Sequence, residues 1–190
     1  MLKTKQLILS SLFAAAIALL AQISIPLPFS PVPITGQIFG VFLAGAILGG
    51  RWGATSVLTY IFLGTIGLPV FCYGQGGLHI VLGPSGGYLW GFVLGGYLLG
   101  KIVEKRSTYF YTVLGMFLCM AATYSLGTIQ LAIITGLDFY QGLLLGVVPF
   151  LPLDVVKIFA AAGLSISIRQ RLQKTGLILQ TEKVKKDFAG

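Results

Sequence analysis

The chain has 190 residues, 56% of them hydrophobic and 9% charged, with a mean hydropathy of +0.92. That balance excludes an ordinary soluble domain and a disordered chain, and it predicts an integral membrane protein. The net charge of +8 does not point to nucleic acid, because the basic residues form no aromatic-interleaved patch and fall at the ends of apolar runs.

Lys3 and Lys5 precede an apolar run from Leu7 to Ile25, broken by Ser10, Ser11, Gln22 and Ser24, which predicts a first transmembrane helix. A cleaved signal peptide is the rival reading of such a start. Ala14 and Ala18 form a small-xxx-small pair that lets another helix approach closely. Pro26, Pro28, Pro31 and Pro33 then predict a stiff, extended loop that is neither helix nor ladder strand. Two apolar spans follow, about Ile34–Gly50 and Trp52–Leu68, separated by Arg51 and each near the lower limit of ~17 residues for crossing a bilayer.

Leu68–Gly87 is a second unusual loop. Its glycines and prolines argue against a regular helix, while Phe71, Tyr73, Leu78, Ile80, Val81 and Leu82 are too apolar for a freely solvated linker. Such a loop is expected to fold over something and to lend it backbone amides. Tyr88–Gly100 is the fourth span. Gly95–Lys101 matches phosphate-loop spacing, but Ile102 stands where a magnesium-binding Ser or Thr is needed, so no ATPase activity is expected of the chain itself. Tyr109–Thr135 is a long fifth span carrying Thr123, Ser125, Thr128 and Gln130. Phe139–Phe150 is too short to cross and reads as a re-entrant or interfacial lead-in to a last helix over about Pro152–Arg171. Residues 172–190 read as a basic, mobile tail, and the whole chain as one transmembrane domain. Cys72 and Cys119 have neither metal-ligand nor disulfide spacing and read as buried filler.

The expected architecture is therefore all-α, with six transmembrane helices, two structured outer loops and both termini on one side. On that count Lys3, Lys5, Arg51, Lys101, Lys105, Arg106, Arg169, Arg171 and the tail lysines are cytoplasmic, and no outer loop contains Lys or Arg. Removing the first segment would spoil this pattern. Lys157 is the exception, and with Asp154 it places opposite charges in an apolar segment, where ionisable residues by default mark a site. Pro152 suits a first helical turn, so Asp154 and Lys157, three apart, share one face near the start of the last helix. The bland alternative is an ion pair that neutralises itself and binds nothing. The distance to Arg169, ~18 Å of helix from Lys157, puts the pair in the outer half of the membrane, beneath both loops. An outward-facing pocket for a small, partly apolar ligand is expected there.

Val32-Pro33-Ile34-Thr35-Gly36-Gln37, Gly83-Pro84-Ser85-Gly86-Gly87-Tyr88-Leu89-Trp90-Gly91-Phe92 and Pro149-Phe150-Leu151-Pro152-Leu153-Asp154-Val155-Val156-Lys157 resemble the three signature stretches of the BioY family, with Ser85 where Thr is more frequent. The resemblance implies the biotin-specific substrate-binding component of an energy-coupling-factor transporter. It also implies six helices, an outward biotin site and, as partners, a transmembrane coupling protein and two ATPases, with Ala14 and Ala18 as the docking motif for the coupling protein.

Biotin's ureido ring offers two N–H donors and one carbonyl acceptor, which a carboxylate and an ammonium complement, so Asp154 and Lys157 are the head-group candidates. Tyr73, Tyr88 and Trp90 are candidates for apolar contact with its ring and chain. The ligand carboxylate is assigned to glycine-loop amides such as that of Gly77, to Thr35 or to Gln37. His79, the one histidine, is as readily a plain loop residue as a ligand contact. A stand-alone secondary carrier for biotin or another small vitamin is the alternative, but it needs a polar path that the inner helix halves do not offer. An intramembrane enzyme needs a nucleophile–base pair or metal ligands, and neither is apparent, so no cofactor or metal is expected.

Overall fold

The computed structural model describes residues 2–178. Its elements are α1 (Leu2–Gln22), β1 (Ser24–Leu27), β2 (Ser30–Thr35), α2 (Gln37–Leu48), α3 (Gly50–Thr65), a 3-10 turn (Cys72–Gly74), α4 (Leu78–Leu82), α5 (Gly86–Lys105), α6 (Tyr109–Thr135), α7 (Phe139–Gly146) and α8 (Leu151–Lys174). Among the described residues three helices are long and apolar enough to cross a membrane, Lys3–Gln22, Tyr109–Thr135 and Leu151–Lys174, while Gln37–Leu48 is a shorter apolar helix. The span expected over Tyr109–Thr135 is one helix with those bounds, ended by Gly136 in the left-handed region at φ 70°.

Two loop expectations need correction. The proline stretch is an antiparallel hairpin, with Ser24 opposite Thr35 and Leu27 opposite Ser30. A two-stranded ribbon consists only of edges, so a missing proline N–H can point away from the partner strand. The register shift between Ile25 and Leu27 falls at Pro26. The glycine-rich loop also contains helix, the 5-residue α4. Gln130 Nε2 holds that turn by donating to the carbonyls of Val81 (3.0 Å) and Gly83 (2.8 Å).

Backbone-to-backbone packing makes the middle of the molecule. A Cβ on Gly45 would stand 2.8 Å from the Gly96 carbonyl, and one on Gly53 would stand 2.7 Å from Gly45 Cα, so α2, α3 and α5 approach as only glycine allows. Around this crossing Val41, Phe42, Tyr60, Leu99, Met116 and Ile158 form a continuous buried core. Ala14 and Ala18 join it from α1. Ala14 is 1% exposed, so the close approach it permits is internal, and the outward face of α1 carries Ile8, Leu12, Ala15 and Leu19 instead.

The helices give the molecule two chemically different ends. At one, Glu104 accepts from the Gly50 N–H (2.9 Å) and pairs with Lys101 (3.0 Å). Arg169, buried on α8, donates there to the carbonyls of Ala46 (3.0 Å) and Ile47 (2.7 Å), last-turn groups that α2 cannot satisfy itself. The expected mobile tail is partly structured, since α8 runs to Lys174 and Ile178 packs on Ile47 and Leu48. Residues 179–190, with Lys183, Lys185 and Lys186, lie outside the described residues. At the opposite end lie the hairpin, the 66–77 segment and the start of α8. Ser30 Oγ donates to the Leu145 carbonyl (2.9 Å), and Gln22 stitches the second loop to α1 through the carbonyls of Val70 (3.3 Å) and Phe71 (3.0 Å) and the N–H of Gly74 (3.0 Å).

Candidate functional site

A cavity of about 480 Å³, counting its open mouth, lies at the loop end. Its wall is drawn from six parts of the chain: Val32, Pro33 and Thr35 of the hairpin, Gln37 and Ile38 of α2, Cys72, Tyr88 and Phe92 of α5, Thr123 and Tyr124 of α6, and Phe150 with Asp154 at the start of α8.

Among the described residues, Asp154 is the only charged one on that wall. Pro152 and Asp154 occupy the first turn of α8, where proline loses no helix bond and a carboxylate faces the positive end of the helix dipole. The residue is 5% exposed, and its two oxygens are met by two donors. The Tyr124 hydroxyl donates to Oδ2 and Lys157 Nζ to Oδ1, both at 2.7 Å. Lys157 also donates to the Thr35 carbonyl at 2.7 Å, and so ties α8 to the hairpin from behind the carboxylate. The internal ion pair considered from sequence therefore exists, but one of its members borders open space. Each carboxylate oxygen keeps a further accepting lone pair, and the ammonium keeps its third donor.

A second polar group borders the same cavity. Thr35 Oγ1 donates to Gln37 Oε1 (3.1 Å) and accepts from the Gln37 N–H (3.3 Å), while Gln37 Nε2 donates to the buried Tyr60 hydroxyl. The Cys72 thiol donates to Gln37 Oε1 at 3.5 Å. Burial pushes that thiol up to about 11, which keeps its proton in place as a donor at neutral pH. Cys72 thus lines the cavity, contrary to its reading as filler, while Cys119 is buried.

The structure brings together Asp154, Tyr88, Thr35 and Gln37, with Lys157 one contact behind them. Tyr88 and Phe92, four apart on α5, share the face toward the cavity, and the Tyr88 hydroxyl donates to the Gly146 carbonyl at 2.8 Å. Trp90 lies between them in sequence, hence on the other side of the helix, and is 47% exposed. Tyr73, in the left-handed region at φ 59°, is turned outward and half exposed. The Gly77 N–H is used within the fold by the Gly64 carbonyl (2.7 Å), and His79 is exposed on α4. None of these four borders the cavity. Sequence reasoning missed Tyr124, Thr123, Phe92 and Phe150. A buried tyrosine needs a partner for its hydroxyl, and Tyr124 sits in the polar stretch already noted on α6, so that question would have found it. No group of three or more His, Cys, Asp or Glu that could hold a metal occurs among the described residues.

A model of the BioY family matches residues 1–174. The protein described as biotin transporter BioY of Thermotoga maritima is 37% identical over 166 residues, spanning 87% of this chain and 96% of that one. Its namesake in Rhizobium etli is 38% identical over 177 residues, spanning 88% and 94%. Among solved structures, the S-component for biotin from an ECF-type ABC transporter superposes with a TM-score of 0.82 at 30% identity, over 88% of this chain and 92% of the other.

Proposed function

The chain belongs to the BioY family, and on that premise we propose that it captures biotin in the cavity at its loop end and serves its uptake as the substrate-specific component of an energy-coupling-factor transporter. The observation that carries the reading is the Asp154 carboxylate, held by Tyr124 and Lys157 at the wall of a mostly apolar cavity. Its remaining lone pairs suit the two ureido N–H groups, and the spare donor of Lys157 suits the ureido carbonyl. Tyr88, Phe92 and Phe150 supply apolar surface for the ring and chain. Thr35 and Gln37 are the polar groups we assign to the ligand carboxylate.

The protein resides in the membrane, and we place it there as six crossings with both termini cytoplasmic. The support is charge: Lys3, Lys5, Arg51, Lys101, Lys105, Arg106, Arg171 and Lys174 fall at one end of the helices, while residues 23–36, 66–86 and 136–150 at the other contain no Lys or Arg. In this reading a transmembrane coupling protein and two ATPases supply the energy, since the chain has no phosphate loop of its own. The outward face of α1, with Ala15 exposed among Ile8, Leu12 and Leu19, is where we place the coupling protein. The test is a titration of the purified, detergent-solubilised chain with biotin, using riboflavin and thiamin as controls and no partner present. Selective tight binding is expected, and a folded sample that binds none of the three, or binds them alike, would overturn the assignment.

A further inference from the structure

We infer that Tyr124 is a positioning residue for ligand capture: its hydroxyl orients the Asp154 carboxylate at the cavity wall, and the inference rests on the reading of Asp154 as the head-group acceptor. The carboxylate sits on the first turn of α8, where rotation about its side chain could aim it along the helix toward Lys157 alone. What prevents this is a donor from a different helix. Tyr124 on α6 reaches Oδ2 at 2.7 Å while Lys157 holds Oδ1 at the same distance. Donors on opposite oxygens fix the plane of the carboxylate as one donor cannot, and they fix it before any ligand arrives.

Two further observations make the tyrosine more than core filling. Its hydroxyl is buried and, among the described residues, makes the polar contact that joins α6 to Asp154. The same side chain, with Thr123 beside it, lines the cavity, so the aromatic ring also sets how far a ligand can slide along the carboxylate. The hydrogen bonds continue from Asp154 through Lys157 to Thr35 and from Thr35 to Gln37, so one end of a chain of contacts around the cavity is anchored at Tyr124.

The experiment compares wild type, Tyr124→Phe, Asp154→Asn and the double variant as full chains in detergent, each checked for a monodisperse profile and helical content. Biotin affinity is expected to fall about tenfold in Tyr124→Phe, the equivalent of one hydrogen bond to a charged group. On the Asp154→Asn background the same change is expected to alter affinity less than about threefold, because the group it positions has gone. An equal loss on both backgrounds would overturn the inference, since Tyr124 would then act by packing alone. A second readout needs no ligand: in infrared spectra with isotope-labelled aspartate, the carboxylate bands that vanish in Asp154→Asn are expected to shift in Tyr124→Phe. Bands that stay in place overturn the positioning role whatever the protein binds. Failure of the wild type to bind biotin, with the band shift present, would overturn the ligand reading and uphold the contact between Tyr124 and Asp154.

Discussion

Lys157 and Arg169 stand on one helix and donate to backbone carbonyls at the two ends of α2, Lys157 to Thr35 at the close of the hairpin just before it and Arg169 to Ala46 and Ile47 in its last turn. Both bring a positive charge into apolar surroundings, and both compensate with charge-assisted bonds to backbone oxygen. They differ in what lies beside them. Lys157 has a carboxylate partner that borders a cavity, whereas Arg169 lies in packed protein with its Nε unpartnered among the described residues. On the proposed reading, the charge whose counter-group faces unfilled space serves ligand binding, and the other caps a helix.

Asp154→Asn is the most damaging test of that contrast. The change deprives the ligand of two hydrogen bonds to a charged acceptor, each about 1.5–3 kcal/mol, so biotin affinity measured by calorimetry is expected to drop at least about a hundredfold. Affinity kept within about threefold would make the pair a strut like Arg169. Arg169→Met approaches from the other side. Loss of its two carbonyl bonds is expected to cost ~2–4 kcal/mol of stability, read as a lower thermal midpoint, with the biotin dissociation constant little changed. The two cysteines repeat the contrast more gently. Maleimide labelling of Cys72 is expected to be slow at pH 7 and to rise about tenfold per pH unit toward its value of about 11, because the raised pKa leaves little thiolate at neutrality. Biotin should slow it further, and buried Cys119 should stay unlabelled. The smallest effects belong to Trp90→Ala and His79→Ala, for which biotin titration is expected to give affinities within about twofold of wild type.

Much of this was legible in the sequence because hydropathy and charge act over whole segments. The bounds of Tyr109–Thr135, the pair Asp154 and Lys157, and the arrival of Thr35, Gln37 and Tyr88 at one place follow from where apolar runs begin and end. What escaped depends on facing rather than position. Trp90 and Tyr88 are two residues apart, and only the rotation of α5 decides that one is wall and the other is outside. Tyr73 is expelled by a single left-handed residue conformation, its own. The proline hairpin escaped because prolines forbid a ladder only where both sides of a strand are paired, and its strands are paired on one side.

The side chain of Gln22 joins α1 to residues 70–74 by three bonds, two of which lie exposed. Where water competes, each is worth only ~1 kcal/mol net. The segment that brings Cys72 to the cavity is pinned chiefly by Phe71, 1% exposed and edge-on to Tyr60, so only the turn around Gly74, held by the exposed bonds, is expected to open first in the hierarchy of local unfolding. The amides of that turn are expected to exchange with deuterium ahead of those in α2 and α8, and to do so more slowly once the cavity is filled.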